Sequence, residues 1–184
     1  MKGSKYLVFA LLLVLTGGSL IFADTAPQAS VAFRSNDEIV TDFIRNFRAK
    51  VGANYIFNSV SVSCENGNLI LSGQVRDAYV KDRATDAAEK VQGVQSITNQ
   101  IEILPVSPFD DRLRVAIYRR LSRDGLLSRY FIGRYPGISI IVNNSRVTLI
   151  GEVSSQVEKA FAANRVRELF GVLSVNNQLV VTHG

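Results

Sequence analysis

The spacing of apolar residues changes in a fixed order along the first half of the chain. From Asp37 to Lys50, Ile39, Phe43, Ile44 and Phe47 recur three to four residues apart, the stripe of an amphipathic helix. Val60, Val62 and Cys64 then alternate with Ser61, Ser63 and Glu65, which is strand spacing. Asn66-Gly67 supplies two residues that tolerate positive φ, so a tight hairpin turn is expected there, with Leu69, Leu71, Gly73 and Val75 on the returning strand. Asp77 to Val91 carries Val80, Ala84, Ala87, Ala88 and Val91 and predicts a second helix, closed by Gly93 in a left-handed conformation. Ile97, Asn99, Ile101 and Ile103 form a last strand, giving the order αββαβ.

The second half repeats this order. A helix is predicted over about Asp110–Arg123, and a strand at Ile138, Ile140 and Val142 that turns at Asn143-Asn144. The partner strand is Val147–Val153, the second helix is about Ser155–Phe170 closed by Gly171, and the last strand is Val175–Val181. Gly73 and Gly151 are 78 positions apart, as are Gly93 and Gly171, and no gap is needed between Val60 and Ile103. The first helices align at 74, so copy two has four extra residues, within Gly125 to Gly137. The fold class is therefore α+β, two tandem αββαβ modules, each a three-stranded mixed sheet with two helices packed on it. The boundaries are 37–105 and 110–184, with a short Pro-bearing linker at 106–109. Units of this size are marginal alone, and the sequence leaves open whether they pack together.

Gly73 and Gly151 lie inside strands, where glycine is normally unfavourable. The same placement twice implies a close approach, either of a helix crossing the sheet or of a ligand against bare backbone.

The segments Leu71-Ser72-Gly73-Gln74-Val75 and Leu149-Ile150-Gly151-Glu152-Val153, with Gly93-Val94 and Asn99 and with Gly171-Val172 and Asn177, resemble the BON domain family. The resemblance covers about Asp37 to Val181. It implies an αββαβ module, often in tandem, in periplasmic or outer-membrane-associated proteins of osmotic-stress type, with a role in attachment to phospholipid surfaces. It carries over no catalytic residues. Many members are lipid-anchored, but no cysteine lies near the start of this chain.

The N-terminal stretch reads as an export signal over residues 1–23: a basic start with Lys2 and Lys5, the apolar run Tyr6–Leu15, and a cut after Ala23. An uncleaved anchor is the alternative, since Tyr6 to Ala23 carries no charge. Residues 24–36 form a flexible lead. The single cysteine, Cys64, allows no internal disulfide and fits a small buried apolar position.

Candidate chemistry is sparse. The one histidine, His183, sits beside the C-terminus, so neither a nucleophile–His pair nor a zinc set can be built in an ordered region. No phosphate loop or dinucleotide fingerprint appears. Asp37-Glu38 and Asp110-Asp111 stand at helix starts, where they complement the helix dipole. A non-enzymatic binding protein is expected, with no cofactor, metal or small-molecule substrate.

Charge is divided unevenly. Residues 37–105 carry seven Lys and Arg against nine Asp and Glu, whereas residues 108–184 carry eleven against six. Within copy two, Arg112, Arg114, Arg119, Arg120, Arg123, Arg129 and Arg134 cluster in the first helix and the lengthened loop, interleaved with Leu126, Leu127, Tyr130, Phe131, Ile132 and Tyr135. Two dispositions satisfy this pattern. The arginines form a solvated face while the loop tucks its rings into the core, or together they form a surface that meets anionic phospholipid. In the second case Arg112, Arg119, Arg120, Arg123, Arg129 and Arg134 attract head groups and Tyr130 and Phe131 insert. Export favours lipid over nucleic acid as the partner. The alternative partner class is envelope proteins, bound in a chaperone-like manner through a sheet edge or the aromatic loop.

Overall fold

The computed structural model describes residues 34–133 and 136–182. The expected signal segment, most of the lead, and Arg134, Tyr135 and His183 lie outside these residues. Helix α1 (Asn36–Val51) opens on a reciprocal cap. The Ser35 hydroxyl accepts from the Glu38 N–H at 3.2 Å, and the Glu38 carboxylate accepts from the Ser35 N–H at 3.0 Å. Its apolar stripe, Ile39, Phe43, Phe47 and Val51, is buried. A 3₁₀ segment (Gly52–Phe57) leads to strands β1 (Ser59–Glu65) and β2 (Asn68–Val75), paired antiparallel across Asn66-Gly67, both at positive φ. Helix α2 (Ala78–Ala88) crosses back, and β3 (Ser96–Asn99) and β4 (Glu102–Ile103) pair parallel with β2.

The last strand of this first module, expected to be continuous, is thus in two pieces. Asn99 stands at the break. Its Oδ1 accepts from the Ile101 N–H at 3.0 Å, its amide donates to Thr85 Oγ1 at 2.8 Å, and Lys81 Nζ donates to the Ile101 carbonyl at 2.7 Å. Side chains take the hydrogen bonds that a neighbouring strand would take.

The second module repeats the order with α3 (Pro108–Ser122), a 3₁₀ turn (Ser128–Phe131), β5 (Ile138–Asn143), β6 (Arg146–Val153), α4 (Gln156–Arg167) and β7 (Ser174–Val181). β5 and β6 are antiparallel, and β7 lies parallel to β6 without interruption. The α+β architecture expected from the repeat is present in both modules. Its turn differs by one residue. The two positive-φ positions are Asn144 and Ser145, not Asn143 and Asn144. Asp110 fixes this, because its buried carboxylate accepts from the N–H groups of Asn144 at 2.8 Å and Ser145 at 2.9 Å. The acid at this helix start therefore clamps a hairpin as well as facing the helix dipole.

Gly73 and Gly151 are close approaches, but to a strand rather than a helix. A Cβ at Gly73 would sit 2.1 Å from the Ser59 carbonyl oxygen, and one at Gly151 2.0 Å from that of Gly137, with φ at +116° and +141°. Gly93 and Gly171 also have positive φ, but they lie beyond the ends of α2 and α4 rather than at their caps.

The modules pack on each other through a segment whose role the alternation did not disclose. Ile56, in the 3₁₀ segment of module 1, is buried within the core of module 2, among residues such as Leu121, Ile140 and Leu149. Phe57 meets Tyr118 edge-on with centroids 6.4 Å apart, and Arg76 pairs with Asp111 at 3.2 Å. The segment packs against β5, so β5 is buried on both faces and Ile141 and Ser139 are as hidden as Ile138 and Ile140.

Candidate functional site: the α3–α4 face of module 2

Helix α3 is set by its ends. Ser107 accepts from the Asp110 N–H, Pro108 occupies the first turn, acids lie at the N-terminus and Arg119 and Arg120 at the C-terminus. Leu113, Ile117 and Leu121 point into the core, which leaves Arg112, Arg119, Arg120 and Arg123 exposed. Arg114 goes the other way. It is buried and donates to the Val142 carbonyl and, at 2.6 Å, to Asp111. It holds α3 to β5 and is no part of a cationic surface.

In the loop after α3, Tyr130 and Phe131 are half-buried, whereas Leu126 and Ile132 are exposed. Leu127 is fully buried. Phe131 packs edge-on against Tyr118 with centroids 5.8 Å apart. The Tyr130 hydroxyl accepts from the Ser154 N–H at 2.8 Å and donates to Glu158 at 2.9 Å, and the Arg129 guanidinium lies 5.0 Å from the Tyr130 ring centroid while pairing with Glu158. Arg129 and Tyr130 thus tie the loop to the start of α4, and Phe131 ties it to α3. Burial alone would raise the Glu158 carboxyl. The Tyr130 hydroxyl, Arg129 and the Ser154 N–H outweigh it and hold the group below the usual carboxylate range. A depressed folded value contributes stability above the unfolded pKa of about 4.3, and that contribution is lost as pH falls through the folded value. In urea unfolding, the stability gap between the wild type and Glu158→Gln is expected to be constant above about pH 5.5 and to narrow from there toward about pH 3. A gap independent of pH would contradict this ion-pair account.

What remains on the surface forms a groove and a tip. The groove, about 460 Å³, runs between α3 and α4 over Ala116 and Leu169 and is lined by Arg119, Arg120, Arg123 and Arg165 with Asp124. Arg120 pairs with Glu168 at 2.9 Å, and Arg165 with Asp124 at 3.3 Å. The Arg120 hydrogen bond holds the Glu168 carboxyl below its ordinary range. Arg119 and Arg123, one helical turn apart, have no acidic partner among the described residues. The Nε of Arg165 is the atom that faces Asp124, without hydrogen-bond geometry. Four guanidinium groups thus share two carboxylates, and the excess is concentrated where a phosphate would fit.

The tip adjoins the groove through Leu169. Phe170 is 98% exposed, Leu173 67% and Phe109 47%, and the Phe109 ring lies against Gly171. Arg112 stands one turn from Phe109 and Arg167 one turn before Phe170. Arg146 is paired in register with Ser174, beside Leu173. Module 1 has nothing comparable. Ser35, Glu38, Asp42, Gln92 and Gln95 occupy the positions of Phe109, Arg112, Ala116, Phe170 and Leu173, and Asp42 is neutralised by Arg34 and Arg45. The fold itself therefore does not require rings at these positions.

Of the residues singled out by sequence, the structure brings Arg119, Arg120 and Arg123 together in the groove and places Arg112 at the tip. It places Arg129 and Tyr130 at Glu158 and Phe131 against Tyr118. Phe109, Phe170, Leu173 and Arg165 were missed. Helical periodicity assigned Phe170 to a helix that ends at Arg167. The available signal was the repeat itself, which sets Gln92 and Gln95 opposite Phe170 and Leu173.

The sequence profile of the BON domain matches residues 44–105 and again residues 109–183. The outer membrane lipoprotein DolP of Haemophilus influenzae is 26% identical over 170 residues, covering 88% of this chain and 83% of that one. Among solved structures, CdsD, a structural protein of the type III secretion system of Chlamydia trachomatis, is 12% identical with a TM-score of 0.32, covering 78% of this chain and 93% of that one. The C-terminal domain of CdsD is likewise 12% identical, with a TM-score of 0.31 over 77% of this chain and 98% of that one.

Proposed function

The chain belongs to the BON domain family, carrying two copies of the domain, and from that premise we propose that it is a non-enzymatic cell-envelope protein that attaches peripherally to anionic phospholipid through the α3–α4 face of its second module. The observation that carries this reading is the nearly complete exposure of Phe170 beside arginines that lack acidic partners, on a face that is polar and ion-paired in module 1. A fully exposed phenylalanine forgoes about 1.5–3 kcal/mol of burial. An apolar tip with a cationic rim recovers that energy at a bilayer interface, where rings seat at head-group depth. Each arginine near an anionic leaflet adds about 1 kcal/mol. Arg112, Arg119, Arg120 and Arg123 supply the charge. Phe109, Phe170 and Leu173 take the insertion role first expected of Tyr130 and Phe131.

No helix among the described residues is long and apolar enough to cross a membrane. The one cysteine of the sequence, Cys64, is buried in β1 and so is not available to carry a lipid. The relative DolP is an outer membrane lipoprotein, which agrees with an envelope location and, together with the expected export signal, favours the periplasmic side of a membrane.

Co-sedimentation with vesicles tests the reading. The protein is expected to pellet with phosphatidylglycerol-containing vesicles at low ionic strength, to stay in solution with pure phosphatidylcholine, and to be released as salt shortens the screening length to about 3 Å at 1 M. Equal recovery with both vesicle types, or none with either, would refute it.

A further inference from the structure

The two modules differ at the outer edge of the sheet. In module 1 that edge is short, interrupted and guarded, with the Ile101 carbonyl taken by Lys81 and its N–H by Asn99. In module 2 the same edge is β7, eight residues without a break, and among the described residues it pairs only with β6. The repeat puts Lys159 where Lys81 stands, yet Lys159 makes no matching bond to Leu179, and Asn177 reaches the Leu179 N–H only at 3.4 Å. β7 reads Ser-Val-Asn-Asn-Gln-Leu-Val-Val, with no charge, proline or glycine. Such features are what blunt an edge against pairing, and β7 has none of them. The opposite edge, β5, is packed by the 3₁₀ segment of module 1.

We propose that β7 is a homotypic docking edge, pairing antiparallel with β7 of a second copy of this chain to join two sheets into one of six strands. The ladder geometry gives the register. Thr182 N–H donates to the Val153 carbonyl, so by alternation Val175, Asn177, Leu179 and Val181 turn their backbone groups outward. A two-fold axis at Gln178 sets Val175 against Val181 and Asn177 against Leu179, matching outward groups with outward groups. The uncharged strand meets itself without like-charge repulsion, and a two-fold contact closes at two copies. On the solvent side Gln178 faces its own counterpart at a Cα separation of about 4.5 Å. This surface is distinct from the arginine groove and does not rest on the membrane reading.

Gln178 is exposed, so it can be changed without disturbing the core. In the full chain with Cys64→Ser, Gln178→Cys is expected to form disulfide-linked dimers under mild oxidation at least tenfold faster than Asn164→Cys, an exposed control on α4. Gln178→Lys, which opposes two like charges, is expected to shift the sedimentation profile to monomer, and mixing it with Gln178→Glu is expected to restore the dimer as a heterodimer. Crosslinking at Gln178→Cys no faster than at the control overturns the proposal. So does capture of β7 by an extended segment of another protein, or by the N-terminal segment of the same chain, in place of self-pairing.

Discussion

Gly151→Ala is expected to lower the stability of the protein by at least about 3 kcal/mol, a shift in Tm of roughly 10 °C. Two independent costs add. A φ of +141° is strained for any L side chain, and the new methyl would sit 2.0 Å from the Gly137 carbonyl oxygen. That oxygen is backbone, held where β5 begins and accepting the Glu152 N–H at 3.3 Å, so it cannot swing aside as a side chain would. Gly73→Ala meets the Ser59 carbonyl at 2.1 Å in module 1 and is expected to cost as much. Gly125→Ala is the control. It lies at ordinary φ with nothing within 4 Å of the added methyl, and should change Tm by no more than about 2 °C. Calorimetry that finds Gly151→Ala as stable as Gly125→Ala would remove the close approach as the reason for glycine at both sites.

Reversing two charges in the groove, with Arg119→Glu and Arg123→Glu together, is expected to weaken binding to anionic vesicles by roughly a thousandfold at low salt. Each reversal removes about 1 kcal/mol of attraction and adds a similar repulsion, near 4 kcal/mol for the pair. Neither residue has an acidic partner among the described residues, so the folded protein loses no ion pair and Tm should hold. Arg45→Glu is the informative comparison, because Arg45 occupies in module 1 the position of Arg119 and faces outward beside Asp42. Its reversal is expected to change vesicle affinity less than about threefold. Equal losses from the two modules would mean that the protein binds by general charge, and the α3–α4 face would lose its special role.

The fold was largely legible because its information is local and repeated. Alternation at Val60–Cys64, the turn at Asn66-Gly67 and the glycines at 73 and 151 each carry a backbone requirement that reads the same twice. What escaped was set by tertiary contacts. Tyr55-Ile56-Phe57 falls between a helix pattern and a strand pattern, and nothing in its spacing announces that Ile56 completes the core of the other module. The capping of the Ile101 backbone depends on where the side chains of Asn99 and Lys81 reach, which periodicity does not encode. The candidate site was half visible. Clustering of arginines points to α3, but composition treats a paired arginine and an unpaired one alike. It therefore could not separate Arg119 and Arg123 from Arg114, buried beneath β5, or from Arg129, held by Glu158. Composition likewise does not separate the rings. Tyr130 and Phe131 have partners supplied by α4 and α3, while Phe170 is left outside because α4 stops at Arg167.

The chain contains no tryptophan, so Phe170→Trp places a single reporter at the most exposed ring of the tip. Its emission is expected to shift to the blue on addition of phosphatidylglycerol vesicles and to stay unchanged with neutral ones, since the indole would move from water to head-group depth. Emission that remains that of a fully hydrated indole while the protein pellets with the vesicles would contradict insertion by this tip.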